Sequence, residues 1–98
     1  MNIEKAIDAI KQELDSATEK FPLWPTCPIH ASAVVAEESG ELVQACLHSV
    51  YEPDKSNLDD ARKEAIQTAA MAIRFIVSAD SDLYEVENNF QHSQSKKQ

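Results

Sequence analysis

Glycine is almost missing from this 98-residue chain: Gly40 is the only one, and of four prolines three fall between Pro22 and Pro28. Sandwiches and barrels need many short turns, and turns draw on glycine and proline. Long helices with few connections are expected instead. Cysteine is also scarce. Cys27 and Cys46 lie far apart with no His or Cys at zinc spacing, a pattern of reduced thiols in a cytoplasmic protein rather than of a disulfide framework. Basic residues are few, nine against seventeen acids, for a formal charge of −8. A binder of nucleic-acid polymers carries the opposite sign, so DNA and RNA are not expected as partners. A phosphate-bearing ligand would meet such a surface only through a divalent metal. No apolar run approaches the roughly 20 residues that span a bilayer, and the charged, amphipathic start of the chain is unlike a signal peptide. A soluble, cytoplasmic protein with no membrane partner is expected.

What is present is helical periodicity. The length suits one domain with a thin core, over residues 1–90, followed by a polar, disordered tail over 91–98. The fold class expected is all-α, a bundle of about four helices. The first runs from about Ile3 to Lys20, with Ile3, Ala6, Ile7, Ile10 and Leu14 at three- and four-residue steps. Residues 21–28 form an extended, aromatic-bearing loop, because proline fixes φ and removes a donor. The second helix starts near Ile29 or His30, continues to about Val50 and is ended by Pro53. The third is capped by Asn57 or Ser56, has Asp59 and Asp60 in its first turn, and reaches roughly Ser78. A short fourth starts at Ser81 or Asp82 and stops before Asn88 or Phe90. Apolar faces wider than one thin core can fill, and Ala65, Ala69, Ala70 and Ala72 on more than one side of the third helix, point to association. A homodimer is the minimum unit expected, and a tetramer is compatible with the same faces.

The informative feature is where the acids fall. Successive helical residues are ~100° apart, so Val34, Glu38, Glu41 and Ala45 share a narrow stripe of the second helix, with Glu37 at its edge. On the third helix Ala61, Glu64, Thr68, Met71 and Phe75 form a stripe, with Gln67 beside Glu64. Carboxylates on core-facing stripes are costly unless they are paired or hold a metal. Their neighbours are mostly other acids, whose mutual repulsion a hard divalent cation with oxygen ligands relieves. Facing helices with inward acids are a recurrent way to build such a site. The competing reading is a solvated acidic face, and periodicity alone leaves both open.

The segment Glu37-Glu38-Ser39-Gly40-Glu41-Leu42 resembles the EExxE motif of the MazG-like all-α NTP pyrophosphohydrolase superfamily. Glu64-Ala65-Ile66-Gln67 stands where that family carries ExxD. The stretches Phe21-Pro22-Leu23-Trp24-Pro25, Pro28-Ile29-His30-Ala31 and residues 64–76 resemble the small stand-alone members of phages and mobile elements. The resemblance implies hydrolysis of a (d)NTP between the α and β phosphates, giving (d)NMP and pyrophosphate, as nucleotide-pool house-cleaning. It implies Mg²⁺ (or Mn²⁺) held by Glu38, Glu41 and Glu64, with Gln67 at the fourth position in place of the family's Asp. It also implies a nucleotide pocket at a subunit interface. An amide offers the metal a neutral oxygen, which bears on metal number or affinity more than on the reaction. Glu37, with Glu38 as second choice, would orient or deprotonate the attacking water. Cationic help for the pyrophosphate leaving group would come from Lys55, Arg62, Lys63 or Arg74; the sequence does not choose among them, and residues of this kind are more often exposed helix charges.

Trp24, the sole tryptophan, reads either as a base-stacking, substrate-binding residue or as a hydrophobic plug over the bundle end. His30 is a helix-entry residue, Asn57 a cap, and Met71 and Phe75 core. Two other classes of function fit the same residues. One is a non-catalytic binder of nucleotide or metal, and the other a helical interaction module with its acids exposed.

Overall fold

The computed structural model describes residues 1–79, which form three helices and no strand: α1 (Ile3–Lys20), α2 (Pro28–Tyr51) and α3 (Leu58–Ala79). The expected fourth helix and polar tail lie outside the described residues. Local chemistry accounts for the starts of all three helices and for the end of α1. Asn2 caps α1, its side-chain oxygen accepting from Lys5 N at 2.8 Å, and Lys20 sits in the last turn, where positive charge suits the dipole. Phe21 precedes a proline and is thereby pushed out of helical conformation, which ends α1 there. Pro28 opens α2 at its first position, where the missing N–H costs nothing. Before α3, Asn57 Oδ1 accepts from Asp60 N at 3.0 Å while Asp60 Oδ2 accepts from Asn57 N at 3.1 Å. This reciprocal pair is a capping box with aspartate in the acidic position. Asn57, not Ser56, is therefore the cap; the Ser56 hydroxyl supports it by donating to Asp60 Oδ2 at 3.2 Å.

α3 is the central helix, packed along α2 on one side and α1 on another. Its small residues permit this: Ala61 and Ala70 are buried, with Met71 and Ser78, while α2 buries only Ala31 and α1 buries nothing. No large side chain is fully buried among the described residues, so packing supplies little stability per residue. Met71 is core, as expected, whereas Phe75 is only half-buried. The apolar stripe on α1 is less covered than its periodicity implied: Ile3 is 79 % and Ile7 45 % exposed. Residues 13 and 67 border the same clefts, as do 20 and 74. α1 and α3 thus run in the same direction, and Ile3 stands level with the start of α3, where there is little to cover it.

Candidate metal centre and the groove beside it

The antiparallel packing of α2 on α3 brings Glu38 opposite Glu64, and Glu41 lies one turn further along α2. One carboxylate oxygen from each of Glu38, Glu41 and Glu64 falls within 4.8 Å of the other two. Ligands trans across Mg²⁺ are ~4.2 Å apart, given metal–oxygen distances of about 2.1 Å. Cis ligands stand about 3 Å apart, so rotation of the three side chains within the cluster would bring their oxygens onto one cation, and the donor set fits the metal. Gln67 completes the cluster. The orientation that satisfies both neighbours has its Nε2 donating to Glu64 Oε2 at 3.1 Å and to Glu38 Oε2 at 3.3 Å. Half a turn of the amide would present Oε1 instead.

The surroundings raise the carboxyls of Glu38 and Glu64. Burial, then the charges of Glu41, Glu64 and Glu37, raise the Glu38 carboxyl above its ordinary 4.5. Burial, then Glu41 and Asp60, raise Glu64 likewise. A carboxyl whose folded pKa lies above its unfolded value binds more protons when folded, so its contribution to stability is present below about pH 4.5 and is lost as pH rises through the raised value. In chelator, the melting temperature of the wild type should fall across this window relative to Glu38→Gln. Saturating Mg²⁺ should cancel that relative fall, because the cation takes the ionised form. Parallel pH profiles of the two proteins in chelator would reject the idea.

Periodicity places all three acids on core-facing stripes, but Glu41 is exposed and forms the rim, while Glu38 and Glu64 are half-buried. Glu37 is exposed, one position from Glu38. Lys55 lies in the α2–α3 connection and pairs with Glu52 at 2.9 Å; Arg62 pairs with Asp59 at 3.0 Å. Both pairs are surface contacts within three residues, of the kind that contributes little. Lys63, in contrast, borders an open cleft of about 400 Å³ that it shares with Gln67.

A second cleft, about 480 Å³, abuts the carboxylates. Its lining includes Glu38 and Gln67, Val34 and Met71, and, about two turns beyond Gln67 along α3, Arg74 with Trp24 against it. Arg74 is half-buried, and burial lowers its pKa below the usual guanidinium value. It pins the proline-rich loop to α3, Nη2 donating to the Phe21 carbonyl at 2.8 Å, and its guanidinium lies 4.8 Å from the centre of the Trp24 ring. Trp24 is thus a wall of the cleft. His30 is exposed in the first turn of α2, and Cys46 is exposed elsewhere on that helix.

Four lining residues of α1 were not picked out from the sequence: Glu13, Ser16, Ala17 and Lys20. A signal for Glu13 and Lys20 existed, because Ile10, Glu13, Ala17 and Lys20 continue one stripe at steps of three and four. A carboxylate between Ile10 and Ala17 is the same irregularity that drew attention to Glu38 and Glu64.

Among the described residues no helix is long and apolar enough to cross a membrane. Compared with protein-family models, curated proteins and solved structures, the chain matches none of them.

Proposed function

We propose that this protein is a Mg²⁺-dependent nucleoside triphosphate pyrophosphohydrolase of the MazG-like kind. The observation that carries the reading is the convergence of Glu38, Glu41 and Glu64 within 4.8 Å, next to Gln67 and at the wall of a cleft that also holds Trp24 and Arg74. Clefts of several hundred Å³ with a few convergent polar groups are typical of small-molecule sites. Mg²⁺ or Mn²⁺, when bound, supplies charge neutralisation at phosphate oxygens and a water of lowered pKa. The three glutamates would hold the cation through carboxylate oxygens, and Gln67 would add a neutral oxygen after turning its amide. Glu37, exposed beside Glu38 and unencumbered by an ion pair with a base in the described residues, orients the attacking water and accepts its proton. The motif resemblance of residues 37–42 and 64–67 supports the same assignment.

The test is a screen of ordinary and modified (d)NTPs with Mg²⁺, separating pyrophosphate from orthophosphate among the products. Pyrophosphate with the matching monophosphate is the expected result. Orthophosphate alone, or no turnover with any of them, would refute the assignment.

The proposed assembly is a homodimer at least. Its support is an uncharged stripe on α2, facing away from Ala31, Glu38 and Ala45, and therefore an interface separate from the acids rather than the interfacial pocket that the resemblance implies. Ile29, Ala36, Val43 and Val50 recur every seven residues along it and are exposed, with Leu47 between them. Gly40 lies in this stripe with nothing within 4 Å of where a Cβ would stand, so another helix has room to approach closely. An apolar hollow of about 430 Å³ between α2 and α3, walled by Val35, Phe75 and Ile76, adjoins it. Sedimentation of Val43→Glu with Leu47→Glu should show monomers where the wild type shows dimers or tetramers. Unchanged sedimentation would place the interface elsewhere.

A further inference from the structure

The two clefts beside the carboxylates share Glu13, Ser16 and Gln67, so they form one groove running between α1 and α3. Its ends differ. Trp24 and Arg74 stand at one end and Lys63 at the other. From Lys63 to Arg74 the groove follows α3 for about 16 Å at 1.5 Å per residue, and Gln67, with the acids it contacts, lies between them.

We propose that a nucleoside triphosphate lies lengthwise in this groove, its ring against Trp24 and its two outer phosphates toward Lys63. This rests on the triphosphate reading above and adds the direction of binding and the residue that measures the length of the phosphate chain. Stacking area decides the ring end. Trp24 is the sole tryptophan of the chain, and the Lys63 end offers a ring only Ala9, Gln12 and Ile66 beside it. Arg74 is engaged by the Phe21 carbonyl and faces the indole, so the ring meets a pair that is already assembled. The position of the carboxylates decides the rest. About 10 Å of helix separates Arg74 from Gln67, room for a nucleoside and its first phosphate. The bond between first and second phosphates then falls over the acids, and the pyrophosphate portion extends toward Lys63. Glu13 faces the junction of the two clefts and adds negative charge there. Phosphates therefore require the divalent cation, whereas the ring does not.

Because Trp24 is the only tryptophan, its fluorescence reports the ring end without turnover. The full-length protein, with Mg²⁺, is titrated with α,β-methylene nucleoside triphosphates, nucleoside monophosphates and inorganic tripolyphosphate, with calorimetry alongside. Both kinds of nucleotide should quench Trp24, and tripolyphosphate should compete with the triphosphate analogue without quenching. Lys63→Gln should weaken the analogue and tripolyphosphate about tenfold, a loss expected for one charge-assisted contact, while the monophosphate keeps its affinity. The proposal is overturned if Lys63→Gln weakens monophosphate and triphosphate equally, or if Lys20→Gln rather than Lys63→Gln reproduces the triphosphate-selective loss, which is the reversed orientation. Binding with these signatures but no pyrophosphate from natural triphosphates would sink the hydrolase reading and leave the groove assignment standing. Pyrophosphate release with Trp24 fluorescence unmoved would do the opposite, and no binding of any probe would end both.

Discussion

Glu41→Gln is expected to reduce pyrophosphate release by roughly two to three orders of magnitude, the loss typical of removing one charged group from a preorganised phosphoryl-transfer site. Its melting temperature in chelator should be equal to or above that of the wild type. The two effects have one origin. After burial, the charge of Glu41 is the main cause that raises the carboxyls of both Glu38 and Glu64. In the metal-free protein it is the acid whose neutralisation relieves its neighbours most. In the loaded protein the same substitution removes one of three formal charges that hold the cation. Because Glu41 is exposed at the rim, the amide is tolerated without repacking, so helicity and oligomeric state should be unchanged. The measurement pairs pyrophosphate release with melts in chelator. Near-normal turnover would remove Glu41 from the site, and a large drop in chelator stability would make it a structural residue instead.

The second large effect is expected at Gln67. In the metal-free protein its amide donates to both Glu38 and Glu64, separating two groups that would otherwise repel. Gln67→Asp deletes those donors and adds a charge. Metal-free stability should fall by about 1 kcal/mol, the typical consequence of leaving charged acceptors unpaired at a partly exposed site. In a domain of this size that is a drop of about 4–8 °C in Tm. Metal affinity should move the other way, because a charged oxygen replaces a neutral one. The gain in Tm on adding saturating Mg²⁺ should therefore be larger in Gln67→Asp than in the parent. Equal gains would mean that Gln67 serves only the metal-free cluster.

Much of this was legible in the residues alone, because it depends on local rules. The limits of α1 follow from Asn2 at one end and the proline after Phe21 at the other, and the start of α3 from the Asn57–Asp60 pair. The coincidence of Glu38 with Glu64 was legible for a similar reason. A helix repeats every 3.6 residues, so an acid inside an apolar stripe declares itself without knowledge of the partner helix. Between competing cations, the sequence had no means of choosing. Lys55 and Arg62 find acids three residues away, and Lys63 and Arg74 face the groove, because the register of α1 on α3 sets which positions border a shared cleft. Register depends on side-chain packing between segments more than fifty residues apart, which no local period encodes. The same holds for the Arg74 bond to Phe21, which turns a proline-rich loop into a cleft wall, and for α1 itself. Glu13, Ser16 and Lys20 were one face of an ordinary amphipathic helix until α3, narrow at its alanines, let α1 approach the acids. Helical periodicity determined which acids belong together; the packing of three helices decided what surrounds them.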